Sequence, residues 1–238
     1  MKIGIICAVE KELSPFLLHI QAKTVTQKAM LTFHCGMIGD AEVVAVFSGV
    51  CKVNAAIATQ VLLDTFHVDA VINAGTAGGM DPKLQVLDTV IAEEVGYHDV
   101  ASGVLTEYHP WMPTPFFRSD TWLLAIAKRA TENQERVFFG RMVTGEVFIA
   151  DDGRQEILDN FSPLTVDMET ASMAHVCYVN QAPFLSVRCI TDTAEHSGEE
   201  NFAKNCIRAA EHAKNTVLAI LDELNKSTER ICAYGTQA

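Results

Sequence analysis

Val166-Asp167-Met168-Glu169-Thr170 and Phe184-Leu185-Ser186-Val187-Arg188-Cys189-Ile190-Thr191-Asp192 read as two apolar strands, each delivering a carboxylate where it ends. Open α/β sheets bind ligands in the crevice beyond the ends of their strands, so acids placed there meet a substrate instead of bulk water. These stretches predict an α/β fold with a small-molecule site at the strand ends.

Upstream, Ile3 to Ala8 is a short continuous apolar run, the pattern of a strand buried on both faces. It gives way at Val9-Glu10-Lys11-Glu12 to a helix start. A helix turns Glu10 and Glu12 to different sides, so only one of them can face a pocket. Two solvated first-turn acids favoured by the helix dipole are the plainer alternative. Lys23 to Gln27 and Met30 to Cys35 read as a hairpin, and Glu42 to Phe47 as a third strand. Ser48-Gly49-Val50-Cys51-Lys52 is a Gly turn feeding a helix, on which Val53, Ile57 and Val61 at i, i+4 and i+8 form a predicted core stripe. Val68 to Asn73 is another buried strand, running into Ala74-Gly75-Thr76-Ala77-Gly78-Gly79. Glycines there let the backbone approach a ligand or take positive φ. The spacing is neither a dinucleotide fingerprint nor a P-loop, and a tight strand-exit turn is the structural alternative.

Thr89 to Glu93 is strand-like. From Tyr97 to Phe117, with Pro110, Pro113, Pro115 and Trp111, the pattern predicts a long irregular segment. Such segments serve as lids or interface elements, and exposed Trp, Tyr and Met here suit a dimer contact. Thr121 to Thr131 predicts a helix, Val137 to Val143 a strand leading to Thr144-Gly145-Glu146-Val147-Phe148-Ile149, and Gly153 to Asn160 and Met168 to Val179 two further helices. Glu199 to Leu224 predicts a long amphipathic helix, and the weakly patterned tail from Asn225 reads as frayed. With no repeat or linker, residues 1–238 read as one domain.

Composition narrows the function. A chain of 238 residues, 49% hydrophobic and 20% charged, buries a substantial core. A net charge of −12 without clustered Lys and Arg argues against a nucleic-acid groove. No run reaches the length of a transmembrane span, and Glu10, Lys11 and Glu12 interrupt the N-terminal apolar run too early for a signal peptide. The seven cysteines, Cys7, Cys35, Cys51, Cys177, Cys189, Cys206 and Cys232, form no zinc-type spacing. Their odd number in apolar contexts predicts reduced, mostly buried thiols and a cytoplasmic protein. The histidines show no metal-ligand spacing, so no metal is expected.

Asp192 follows a strand apolar apart from Ser186 and Arg188, so desolvation should raise its pKa and let it hold or deliver a proton near neutral pH. Arg188, four residues earlier and about 13 Å along an extended strand, would share its face and line the same pocket. Glu169, opening a helix, should be ionised by the dipole. An ionised carboxylate suits a vicinal diol, because each hydroxyl can donate one hydrogen bond to it; an ordinary first-turn acid is the alternative. A strand-end acid, a diol-binding carboxylate, a Gly stretch, an early glutamate and the pair Phe148-Ile149 fit ribose and a purine better than an acyl or peptide substrate. No G-x-S-x-G elbow or HExxH motif is present.

Taken together, Met1-Lys2-Ile3-Gly4-Ile5-Ile6, Glu12, Ser48-Gly49, Lys52-Val53-Asn54-Ala55-Ala56, Asn73-Ala74-Gly75-Thr76-Ala77-Gly78-Gly79, Thr144-Gly145, Phe148-Ile149, Met168-Glu169, Arg188 and Asp192 resemble the 5′-methylthioadenosine/S-adenosylhomocysteine nucleosidases, in the same order from residue 1 to about residue 220. The resemblance implies an α/β nucleoside phosphorylase-like three-layer fold, a central mixed β-sheet flanked by helices. It also implies a homodimer with its site near the interface, and cofactor-free, irreversible hydrolysis of an N-glycosidic bond. By position, Asp192 would protonate adenine N7. The Ile149 backbone would pair with the adenine edge while Phe148 stacks on the base. Glu169 and the Met168 backbone would hold the ribose hydroxyls, with Val9, Val50 and Phe202 in the substrate wall. Glu12 would be the general base for the attacking water, helped by Thr76 and Arg188.

Several positions depart from the family pattern. Asp167 stands where the family usually has Glu, Thr76 for Ser, and Val9 for a Met that contacts ribose. Within Tyr97 to Pro115, Ser102, Leu105 and Glu107 occupy the places of 5′-pocket aromatics, with Tyr108 one step off. Three rival readings follow. A phosphorylase of the same fold needs cationic phosphate donors, yet Asn73 stands where such enzymes tend to carry Arg, and Val9 to Glu12 replaces their phosphate loop. A nucleosidase for another adenosine derivative, such as aminodeoxyfutalosine or 5′-deoxyadenosine, is motivated by the altered 97–115 segment. A non-catalytic nucleoside-binding protein is opposed by Glu12, Glu169, Arg188 and Asp192.

Overall fold

The apolar runs become strands of one mixed sheet in the computed structural model, which describes residues 1–150, 153–193 and 199–227. In chain order the elements are β1 (Lys2–Cys7), α1 (Glu10–Leu17), β2 (Gln21–Lys28), β3 (Leu31–Ile38), β4 (Ala41–Phe47), α2 (Lys52–Phe66), β5 (Ala70–Gly79), β6 (Thr89–Tyr97), α3 (Val104–Glu107), β7 (Phe116–Arg118), α4 (Thr121–Ala130), β8 (Val137–Thr144), α5 (Arg154–Phe161), β9 (Thr165–Asp167), α6 (Thr170–Val179), β10 (Phe184–Asp192) and α7 (Glu199–Lys226). The strand order is β10-β6-β8-β9-β5-β1-β4-β3-β2, with β7 on β6.

The long strand β5 organises this sheet. One edge pairs in parallel with β10, while the other pairs with β1 over Ala70–Asn73 and with β9 at Gly78 and Gly79. Because β10 also pairs with β6, the strands β5, β10, β6, β8 and β9 close on themselves. The ends of β5, β8, β9 and β10 therefore meet in one place, where the sequence put its carboxylates.

Alternation along the strands feeds two cores. Ile3, Ile5 and Cys7 of β1 and Ala70, Ile72 and Ala74 of β5 pack with Leu13 and Phe16 of α1, Leu123 and Ile126 of α4, and Val217, Ile220 and Leu221 of α7. Ile6 and Val71 point to the opposite face, against Ala55, Ala58 and Leu62 of α2 and Ala171, Met173, Ala174 and Cys177 of α6. Strands with both faces covered must be apolar throughout, which is what the sequence shows. Helices on both faces make the three layers.

Four expectations change. The predicted α2 stripe is displaced: Val53 and Ile57 are 69% and 46% exposed and Val61 is half-buried, while Ala55, Ala58, Thr59 and Leu62 face the core. Small residues let α2 lie close to α6, which leaves the larger residues outside. The Gly stretch after Asn73 is a continuation of β5, and its glycines are absent from the positive-φ positions. Between Tyr97 and Phe117 the chain is packed down, with α3 and β7 within it and Leu105, Met112 and Phe117 buried, although Tyr108 and Trp111 are exposed. Asn225 and Lys226 belong to α7 instead of a frayed tail, and residues 228–238 lie outside the described residues. No helix among the described residues is long and apolar enough to cross a membrane.

Candidate active site

At the meeting point of the strand ends lies a cavity of ≈ 500 Å³. Its wall contains Glu12, Thr76, Glu169 and Asp192, together with Val9, Val50, Phe148, Ile149, Met168 and Phe202. The structure thus brings together all the predicted site residues except Arg188.

Glu12 sits in the first turn of α1. Val9 at the N-cap carries no side-chain acceptor, so the Glu12 carboxylate turns back, and its Oε2 accepts from the amides of Ala8 at 2.9 Å and Val9 at 3.2 Å. Its Oε1 accepts from the Thr76 amide at 2.7 Å and the Thr76 hydroxyl at 2.8 Å. The residue is 3% exposed while Glu10 lies in solvent, so the helix separates the two acids as expected. Gly75 is required beneath it: a Cβ there would lie 2.7 Å from Glu12 Oε1 and 2.8 Å from Arg188 Nη1. The glycines of β5 serve close approach rather than positive φ.

Arg188 is fully buried beneath the cavity and is not part of its wall. Its Nη1 donates to the Thr76 carbonyl at 3.1 Å, and its Nε and Nη2 donate to Thr170 Oγ1 at 3.1 and 2.9 Å. Ion pairs join it to Asp167 at 3.2 Å and Glu169 at 3.5 Å. The expectation that Arg188 and Asp192 share a strand face ignores a register shift between Ile190 and Asp192 on β10, which resets the alternation. Asp192 is thereby set beside Gly78, where a Cβ would lie 3.2 Å from its Oδ2.

Asp192 is 1% exposed, and burial raises its pKa as the sequence predicts, against the lowering effects of the Thr191 hydroxyl at 2.7 Å and the Arg154 charge. Glu169 differs from expectation. It is the N-cap of α6, which begins at Thr170 instead of Met168, and it is 4% exposed. Burial pushes its carboxyl up to about 7, opposed by Arg188 and by the Cys51 amide that donates to Oε1 at 3.0 Å; the charges of Asp167 and Glu12 add to the rise. Desolvation outweighs the helix dipole, whose effect is at most about 2 kcal/mol at a buried terminus.

Sequence reasoning noted Asp167 only as standing where the family usually has Glu, but the structure makes it a hub. Its Oδ1 accepts from the amides of Glu169 at 3.1 Å and Thr170 at 3.0 Å and from the Thr144 hydroxyl at 2.6 Å. Asp167 therefore supplies the helix-capping bonds that Glu169, facing the cavity, does not. An Asp two to three residues before an apolar helical run was the available signal. Asn73 was read only as a missing arginine; its Oδ1 lies 2.8 Å from the Ser186 hydroxyl and 3.0 Å from that of Thr170, which ties β5, α6 and β10 together. At the other end of the cavity the rings of Phe148 and Phe202 meet edge to face, centroids 6.3 Å apart. Among the described residues no group of His, Cys, Asp and Glu is arranged to hold a metal ion.

The mixed sheet flanked by helices is that of the phosphorylase superfamily, whose family model matches residues 2–222. A 5′-methylthioadenosine/S-adenosylhomocysteine nucleosidase of an Exiguobacterium species is 36% identical over 234 residues, 95% of this chain and 100% of the relative. The chain belongs to the family of these nucleosidases. Among solved structures, the S-adenosylhomocysteine nucleosidase of Streptococcus pyogenes in complex with 5-methylthiotubericidin superposes with a TM-score of 0.88 at 30% identity, covering 94% of this chain and 97% of that one. Futalosine hydrolase of Helicobacter pylori superposes with a TM-score of 0.85 at 25% identity, covering 94% and 98%.

Proposed function

We propose that this protein hydrolyses the N-glycosidic bond of 5′-methylthioadenosine, S-adenosylhomocysteine or a related 5′-substituted adenosine, releasing adenine. The observation that carries this reading is the placement of Glu12, Glu169 and Asp192, all nearly inaccessible to solvent, around one apolar cavity. Adenine leaves poorly as an anion, so a carboxyl that keeps its proton near neutral pH is needed at N7, and the raised Asp192 fits that task. As the bond breaks the sugar becomes cationic, which favours ionised carboxylates beside it. Glu169 accepts the two ribose hydroxyls, and their donation favours its ionised form when substrate is bound. Glu12, fixed by four donors, activates the water. Thr76 orients Glu12, Arg188 acts through Glu169 and Asp167, and Phe148, Ile149, Met168, Val9, Val50 and Phe202 enclose base and sugar.

The wall of the cavity holds no Lys or Arg among the described residues. Phosphate would enter against Glu12, so water is favoured over phosphate as the nucleophile. Adenine release measured with and without phosphate tests this: equal rates are expected, and strict dependence on phosphate would overturn it. The likeness to futalosine hydrolase supports a second reading, a nucleosidase for a different 5′ substituent. A panel of 5′-substituted adenosines separates the two, preference for the methylthio compound being expected.

The outer faces of α2 and α6 and the 104–111 segment expose Val53, Ile57, Val104, Tyr108, Trp111 and Tyr178, a surface suited to a second copy of the chain. A homodimer in solution is the expected state, measured by sedimentation. The six cysteines among the described residues are free thiols, which fits a reducing compartment such as the cytoplasm.

A further inference from the structure

Outside the cavity, three charged side chains meet at the N-terminus of α2. Lys52 Nζ donates to both oxygens of Asp99 at 2.9 Å, and the Glu146 amide donates to Asp99 Oδ2, also at 2.9 Å. Glu146 Oε1 accepts from the Lys52 backbone amide at 3.2 Å. The neighbouring amide, that of Cys51, is the one that donates to Glu169 Oε1. Two consecutive main-chain donors at one helix start thus reach two carboxylates from two different loops.

The local backbone explains why an outside acceptor is needed. Cys51 is the N-cap of α2, and its side chain makes no capping bond. Its φ of 79° and ψ of 165° place it in a region that only glycine adopts without strain. A strained turn keeps its geometry only when neighbouring groups over-determine it. Glu146 is one such group, and it lies two residues before Phe148 in the arm that lines the cavity.

We propose that Glu146 is a positioning residue: by capping α2 from the loop after β8, it holds the Cys51 amide on Glu169 and fixes the Phe148–Ile149 arm relative to the ribose carboxylate. The inference rests on the nucleosidase reading of the cavity. The Glu146 side chain is 43% exposed, so its effect is transmitted through the turn and is modest.

The test compares wild type, Glu146→Ala and Glu146→Gln, with 5′-methylthioadenosine as the probe. Loss of one partly exposed bond predicts that Glu146→Ala raises KM about fivefold with kcat within about twofold. Glu146→Gln, which keeps the acceptor, should restore KM to within about twofold of wild type. Amide hydrogen exchange supplies a readout independent of activity: the Cys51 amide should exchange at least about fivefold faster in Glu146→Ala, although its own partner Glu169 is untouched. Unchanged Cys51 exchange, unchanged KM, or a Gln variant as impaired as the Ala variant would each overturn the role. If wild type cleaves no member of the 5′-substituted adenosine panel, the nucleosidase reading fails, while the exchange result still decides the positioning claim.

Discussion

In a Glu169→Gln variant the buried carboxyl is replaced by a neutral amide of nearly the same shape. Burial raises the Glu169 carboxyl from the ordinary 4.5 to about 7. One unit corresponds to about 1.4 kcal/mol, so the shift is worth about 3 kcal/mol. Between those two pH values the folded protein holds a proton that the unfolded chain has already released. Raising the pH through the window therefore lowers wild-type stability, and by about pH 8 the whole difference is gone. Glutamine does not titrate. Urea denaturation of both proteins at pH 4 and pH 8 should show the variant gaining about 3 kcal/mol relative to wild type at the higher pH. Turnover moves the other way: kcat/KM should fall by about 10² or more, because the amide cannot accept both ribose hydroxyls as a carboxylate does. A stability gap that stays constant with pH, or that shifts against the variant as pH rises, would refute the argument that burial controls this group.

Asp192→Asn and Glu12→Gln should each lower kcat by at least about 10² while leaving thermal unfolding within a few degrees of wild type; near-normal turnover in either would remove its assigned role. Because Asp192 must carry its proton, wild-type activity should be lost as pH rises through its raised pKa, a limb read from kcat/KM against pH that Asp192→Asn should lack. Gly75→Ala places a methyl within 3 Å of Glu12 and Arg188, both pinned. It should cost about 1–3 kcal/mol of stability and a larger share of activity, and a fully active Gly75→Ala would show that the floor of the site is not close-packed.

By itself the sequence determined most of the strands and helices and the order of the candidate site residues along them. Short continuous apolar runs such as Ile3 to Ala8 and Val68 to Asn73 have the pattern of strands covered on both faces, and a carboxylate at the end of such a strand lies where open α/β sheets bind ligands. Glu12 was separable from Glu10 because a helix sends positions two apart to different sides. What the sequence left open were properties that depend on neighbours distant along the chain. Val53 and Ile57 have the spacing of a core stripe, but which side of α2 is buried depends on how close α6 comes. Gly75 and Gly78 look like turn residues until Glu12, Arg188 and Asp192 are seen occupying the space of the missing side chains. The bulge on β10 decides that Arg188 goes below the cavity and Asp192 into it, and no local pattern announces a bulge. The same holds for Glu169: a helix dipole is read from the chain, whereas the desolvation that overrides it exists only once the surrounding elements have closed.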